Sequence, residues 1–298
     1  MGEFLENFSK VAVLVFVVTC MVTAGLGLGV RDIVGPLRRG RLVLAAVVAN
    51  FVFAPAVAYG LTAVLPLQRS YAIGLLLLGG AAGAPFLPKL AALADGDAAF
   101  SVGMMLLLTF GSVAFLPIAM PLMIPGLAAD TWTILKPLLF TLLLPMAAGI
   151  AFRYRSPRLA GRLIGPVGTI SNVAMLLAVV LLIGINFGSI LGTFGSGAAA
   201  VGTLFVTLCL GFGYAIGGPT PATRSVLGLG TGQRNIAAAL LLATQNYPDD
   251  PGVVVMLLVT TFAGVVVLAI SARWFAKRTQ DPGVAKIHNT EVVSAGGL

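Results

Sequence analysis

The chain has 298 residues, of which 58% are hydrophobic and only 9% are charged, and its formal net charge is +8. A soluble domain carries about a quarter charged residues, so this composition excludes a soluble protein. The apolar blocks are long and show no alternation, whereas the strands of a membrane β-barrel run to about ten alternating residues. The composition therefore predicts an all-α integral membrane protein, with the lipid bilayer as a partner.

The apolar blocks predict nine transmembrane helices in one domain over residues 1–279, followed by a disordered cytoplasmic tail over 280–298. Glu3 and Glu6 precede the first block, where a secretory signal would be basic, so this block is expected to be a retained span. Cys20 and Cys209 lie inside blocks, and we expect neither a disulfide nor a metal centre. In chain order the blocks fall at about 11–30, 42–65, 71–94, 98–124, 131–152, 163–186, 190–217, 222–247 and 252–276.

Basic residues are concentrated in alternate loops. Arg31, Arg38, Arg39 and Arg41 lie between blocks one and two, and Arg153, Arg155, Arg158 and Arg162 lie between blocks five and six. Arg224 lies between blocks seven and eight, and Arg273, Lys277 and Arg278 follow at the end of block nine. The opposite loops carry Arg69, Asp130, Asp249 and Asp250. Because cytoplasmic loops hold the excess of Lys and Arg, we expect an inner or plasma membrane protein with its N-terminus outside. The net charge then reflects topology, and no nucleic-acid partner is expected.

Blocks three and eight contain helix-breaking residues. The expected structural breaks are Pro85 and Pro88 in block three, and Gly228, Gly230 and Gly232 in block eight. A pair of interrupted spans at corresponding places in two halves is typical of inverted-repeat transporters, which bind substrate where the interruptions meet. We expect breaks near 84–88 and 228–234 that cross close together. Either break alone is also compatible with an ordinary kink. Asp97 and Asp250 are expected to cap the helices that follow.

A cation follows each break, Lys89 after the first and Arg234 at the second. Each would lie near the N-terminus of a half-helix, which carries partial positive charge and free N–H groups. An anionic substrate would offset this charge, and a guanidinium suits a carboxylate, sulfonate or phosphate. The expected substrate-binding residues are Arg234, Lys89, Asn235, Gln233, Thr231 and Asn50, with Ser101, Thr109 and Ser112 as weaker polar candidates.

Two alternatives stay open for these cations. The side chain of Lys89 would reach the cytoplasmic surface if it extended away from the break. Arg234 would be a structural cation if it bonded to the carbonyl end of the facing half-helix, where it would replace sodium without contacting substrate. With no Asp, Glu or His inside a block, we do not expect an enzyme.

The segments "LADGDAAFSV" at 93–102 and "GTGQRN" at 230–235 resemble the bile acid:sodium symporter family. The resemblance covers nearly all of residues 11–278. It implies a fold of two inverted repeats with two broken helices that cross, and it implies that this chain lacks the first helix of that fold. It implies a core at about 42–124 and 190–278 and a panel at about 11–30 and 131–186. It also implies a secondary transporter that moves an organic anion with sodium by alternating access.

The resemblance also implies which side chains bind sodium, and most of them are replaced. Gly230 and Arg234 stand where family members have Glu and Gln, Leu87 and Pro88 stand for Ser and Asn, and Met105 stands for Thr. The residual sodium candidates are Ser101, Asn50 and Thr231.

Two unit charges about 4 Å apart repel by roughly 4 kcal/mol at an effective dielectric constant near 20, so Arg234 would displace a sodium ion beside it. We therefore expect no cofactor and a weakened or absent sodium dependence. The alternatives are a sodium-coupled symporter that uses residual polar and backbone ligands, and a passive anion channel.

Overall fold

The structure, a computed structural model, describes residues 2–29, 39–124 and 131–279, and within these ranges it is helical without a β-strand. In chain order the helices are α1 (Gly2–Gly27), α2 (Gly40–Val64), α3 (Arg69–Gly80), α4 (Leu87–Leu93), α5 (Ala98–Met123), α6 (Thr131–Arg155), α7 (Pro157–Ile185), α8 (Phe187–Ser196), α9 (Ala198–Ile216), α10 (Pro221–Gly232), α11 (Ile236–Asn246) and α12 (Pro251–Thr279).

The described ranges contain seven helices long and apolar enough to cross a membrane, namely α1, α2, α5, α6, α7, α9 and α12. The predicted third and eighth spans are each divided into two short helices, α3 with α4 and α10 with α11. The all-α membrane architecture is thus confirmed, while the count of nine spans, the inverted repeat and the orientation stay predictions. Arg31, Arg38, Asp130 and the tail over 280–298 lie outside the described residues.

The breaks are displaced from the residues predicted to cause them. The first spans residues 81–86 and includes Pro85, whereas Pro88 lies in the first turn of α4. Pro is tolerated there because the first N–H groups of a helix have no intrahelical partner. The second break spans residues 233–235.

The prediction that Gly228, Gly230 and Gly232 break the second helix is corrected, since all three are helical within α10. These glycines permit close packing. A Cβ on Gly228 would lie 3.1 Å from the carbonyl oxygen of Leu210, and one on Gly232 would lie 2.9 Å from Cδ2 of Leu268. Small residues allow membrane helices to approach closely.

The predicted seventh span, 190–217, is also two helices. Gly197 separates α8 from α9 with a φ of 74°, a left-handed conformation that glycine adopts without a steric penalty. No sequence signal beyond this glycine marked the division.

Helix α1 packs along α7 and the second half of α6. A Cβ on Gly25 of α1 would lie 2.2 Å from the carbonyl oxygen of Met146, so the two backbones are in close contact. Helices α10 and α12 pack on α9. The predicted division into a core and a panel stays a prediction.

Two predicted caps are present at the helix ends. The Asp97 carboxylate accepts a hydrogen bond from Phe100 N at 2.9 Å and pairs with Arg39. Burial alone would raise the pKa of Asp97, but the Phe100 N–H and the Arg39 guanidinium together lower the pKa below its ordinary value. At α12, Asp250 accepts from Gly252 N at 3.2 Å.

Candidate functional site

The two breaks meet through direct hydrogen bonds from Asn235. Its backbone N–H donates to Ala81 O at 2.9 Å, and its side-chain Nδ2 donates to Gly83 O at 3.1 Å. The Asn235 Oδ1 also accepts from Ala238 N at 3.1 Å, which caps α11. One residue thus begins the second half-helix and holds the first break beside it.

Helix α5 supports the first break from the other side. The Thr109 hydroxyl donates to Gly83 O at 2.8 Å, and the Ser112 hydroxyl accepts from Ala82 N at 2.8 Å. Gly83 has a φ of 80°, and a Cβ on it would lie 2.2 Å from Thr109 N. The break therefore requires glycine at this position, and its freed backbone groups find partners on α5.

Arg234 lies at the centre of this crossing, with only 7% of its surface exposed. Its Nε donates to Leu78 O at 2.9 Å, and its Nη2 donates to Gly79 O at 2.6 Å. Its Nη1 donates to Asn50 Oδ1 at 2.8 Å and to Thr231 O at 3.3 Å. The guanidinium is thereby held by protein oxygen atoms on three helices.

These partners explain how a cation is accommodated without an acid. Leu78 and Gly79 lie in the last turn of α3, where carbonyl groups run short of intrahelical donors and carry partial negative charge. Leu78 O also accepts from Ala81 N at 3.1 Å. The guanidinium supplies donors to these carbonyls and caps the half-helix. The geometry therefore favours the alternative in which Arg234 is a structural cation bonded to the facing half-helix.

Asn50 orients the guanidinium from α2. It lies in a π-helical turn, Ala49–Phe53, and such turns occur frequently at functional sites. Its Nδ2 donates to Ala46 O at 3.0 Å and to Thr231 Oγ1 at 3.3 Å, which leaves its Oδ1 directed at Arg234. Thr231 Oγ1 donates in turn to Leu227 O at 2.7 Å. The sequence identified Asn50 but gave no signal for the π turn.

A second position, around Gly230, is apolar. A Cβ on Gly230 would lie 2.6 Å from Met104 Cε and 2.9 Å from Leu87 Cδ2, and Met104 and Leu87 are each 1% exposed. Ser101, on the same helix as Met104, donates its hydroxyl to Ala98 O at 2.7 Å. Hydrocarbon fills the place where the family resemblance puts a carboxylate. Sequence reasoning named Met105 here and missed Met104.

Lys89 does not hydrogen-bond to the Arg234 cluster. Its side chain is exposed, and its Nζ lies 5.1 Å from the centroid of the Phe86 ring. Both alternatives for Lys89, a contact with substrate and a reach to the cytoplasmic surface, therefore stay predictions.

The remaining candidate, Gln233, has an unpaired acceptor. Its Oε1 is buried without a hydrogen-bond partner, although buried polar atoms are nearly always paired. The N–H groups expected to be free at the half-helix starts are mostly used, since Leu87 N donates to Ala84 O and Lys89 N to Phe86 O. The backbone thus leaves little capacity to bind an anion there.

In comparisons with known proteins, the model of the Sodium Bile acid symporter family matches residues 13–193. This range is more than half of the chain. It contains the first break and ends before the second, so Arg234 lies beyond it. No match is found among curated proteins.

Proposed function

The chain belongs to the sodium bile acid symporter family, and from this premise we propose that it is a secondary carrier of an organic anion in which Arg234 replaces a transported sodium ion. The observation that carries the proposal is the guanidinium bonded to Leu78 O, Gly79 O and Asn50 Oδ1. Carbonyl and amide oxygens are hard ligands of the kind that alkali and alkaline-earth cations bind. A covalently attached cation occupies the space among them.

A free sodium ion at the same position is disfavoured on two grounds. The guanidinium would repel it by roughly 4 kcal/mol at about 4 Å. Two of the three side-chain oxygens that remain as sodium candidates already accept hydrogen bonds, Asn50 Oδ1 from Arg234 and Thr231 Oγ1 from Asn50. The third, Ser101, donates its hydroxyl to Ala98 O. A sodium-coupled symporter that uses these residual ligands therefore has less support.

The apolar position around Gly230 supports the same conclusion for a second ion. Leu87 and Met104 fill the space beside it, and neither supplies a ligand for sodium. Burying an ion against hydrocarbon without compensating ligands is strongly unfavourable. The carrier is therefore independent of a sodium gradient.

The substrate anion binds beside Lys89, the exposed cation that follows the first break. Arg234 contributes a fixed positive charge there, while its N–H groups are largely committed to the protein. Lys89 is the exposed cation left to contact the anionic group, and the unpaired Gln233 Oε1 would accept a hydrogen bond from a donor elsewhere on the ligand. The core, 42–124 and 190–278, moves relative to the panel, 11–30 and 131–186, to expose this site alternately to the two faces.

Uptake of radiolabelled taurocholate into proteoliposomes tests this function, with sodium chloride replaced by potassium or choline chloride. We expect saturable uptake and counterflow at the same rate in all three salts. Substrate binding during a sodium titration at constant ionic strength should stay constant. A saturable rise in affinity with sodium would overturn the replacement by Arg234, and flux that neither saturates nor shows counterflow would indicate a channel.

A further inference from the structure

The guanidinium of Arg234 is solvated by the protein without substrate, while its positive charge remains. All four of its hydrogen bonds go to groups of the chain itself, on α2, α3 and α10. None of these acceptors leaves when a ligand dissociates. Four of the five N–H groups of the guanidinium are therefore satisfied in the empty protein, and no counter-substrate is needed to solvate the guanidinium before the protein changes conformation.

No carboxylate or imidazole is present to carry a coupled proton through the spans. The sequence places no Asp, Glu or His in the spans from Asn7 onward, or in the half-helices α3, α4, α10 and α11. Sodium is disfavoured at both positions for the reasons given above. Neither of the usual coupling ions thus has a binding group in this part of the chain.

From these observations we infer that the protein moves an organic monoanion without a coupled cation, and that in a cell it exports this anion. The inference rests on the proposed function and adds the direction of transport. A cycle that moves one uncompensated negative charge is driven by the membrane potential. Since the interior of a cell is negative, the potential drives the anion outwards.

The size of this bias follows from the charge alone. One elementary charge across about 100 mV corresponds to about a 50-fold ratio of concentrations at equilibrium. A carrier coupled to two sodium ions would show the opposite dependence, because each cycle would bring net positive charge inwards. An electroneutral exchanger would show no dependence on potential.

The test uses proteoliposomes in which a potassium gradient with valinomycin sets the potential, without sodium and at equal pH on both sides. The probe is radiolabelled taurocholate, because its sulfonate stays ionised and cannot cross as a neutral acid. We expect about 50-fold accumulation when the lumen is held about 100 mV positive. With the lumen about 100 mV negative, preloaded vesicles should lose the probe.

Each result bears on a different claim. Sodium-independent uptake that does not change with the membrane potential would overturn the export inference but would agree with the proposed function. Uptake that appears only when sodium is added would overturn both, as would the absence of any taurocholate movement. Sodium-free uptake that rises with a negative lumen would overturn the export inference alone. Accumulation driven by a pH gradient at zero potential would also overturn the inference. Arg41→Gln, which removes an exposed charge outside the crossing, should behave as the wild type.

Discussion

The surroundings of Arg234 and of Gly230 differ in what fills the two positions where the family resemblance implies a sodium ligand. Around Arg234 the acceptors are retained, and a side-chain cation satisfies Leu78 O, Gly79 O and Asn50 Oδ1. Around Gly230 the neighbours are apolar, and Leu87 and Met104 fill the space. Gly230 lies in the last turn of α10, and Arg234 lies four residues later, in the break that follows this helix.

The difference follows from whether the oxygen acceptors at each position belong to the backbone or to side chains. At Arg234 the acceptors are carbonyls at the end of α3, which exist whatever the side chains are and cost about 1–3 kcal/mol each if left buried and unpaired. At Gly230 the ligands implied by the family resemblance are side chains, so substitution removes the acceptors together with the need for an ion. The carbonyl end of a broken helix thus requires a donor or a cation, whereas side-chain ligands can be replaced by apolar residues without leaving buried acceptors unpaired.

The largest expected effect is that of Arg234→Gln. The shorter amide cannot reach all the acceptors, so at least two buried oxygens lose their partners, and we expect a loss of about 3 kcal/mol in stability together with most of the transport. Thermal unfolding in detergent and taurocholate uptake measure both. Arg41→Gln is the matched control, because it removes an exposed guanidinium.

The effect of sodium on the thermal stability of Arg234→Gln gives a second test. With the attached cation removed, the carbonyl oxygens become available, and sodium should raise the unfolding temperature of Arg234→Gln more than that of the wild type. An unfolding temperature equal to that of the wild type, or sodium stabilisation of the wild type alone, would contradict the role assigned to the guanidinium.

Gly230→Glu should have the next largest effect. Its Cβ would lie 2.6 Å from Met104 Cε and 2.9 Å from Leu87 Cδ2, and overpacking of this kind costs about 1–3 kcal/mol. We expect reduced thermal stability that Met104→Ala partly restores by making room. Gly230→Ala should cost less, since only one carbon is added beside the flexible end of Met104. If Gly230→Glu were as stable as the wild type, the apolar filling would not be tight.

The smallest effect concerns the Arg39–Asp97 pair. In contrast to Arg234, Arg39 forms an ion pair with a carboxylate, and its guanidinium is half-exposed. The pKa of Asp97 is lower in the folded chain than its ordinary value of 3.8. Its contribution to stability is therefore complete above about pH 4 and is lost as the pH falls through the lowered pKa. For so exposed a pair we expect less than about 1 kcal/mol.

Thermal unfolding between about pH 3 and pH 6 should show this dependence in the wild type. Asp97→Asn should be less stable at pH 6 and should lose that part of the pH dependence. An unchanged pH profile in Asp97→Asn would show that another group causes it.

Much of the site was predictable because its side chains break local rules. An arginine among uncharged residues, glycines and prolines in two apolar blocks, and Asp97 before a helix each have a physical reason that sequence alone shows. The breaks themselves were misplaced by a few residues. Glycine spacing does not distinguish a helix that ends from one that packs closely against a neighbour, as Gly228 and Gly232 do against Leu210 and Leu268.

The sequence by itself determined the membrane class, the interruption of two apolar blocks and the presence of a cation without a neighbouring acid at the second interruption, since hydropathy and backbone chemistry are local properties. Only the tertiary structure decided what Arg234 contacts, because its partners are carbonyls of Leu78 and Gly79, over 150 residues away in the chain. Backbone carbonyls are present at every residue and leave no mark on the sequence. Which of them lack partners depends on where helices end and cross.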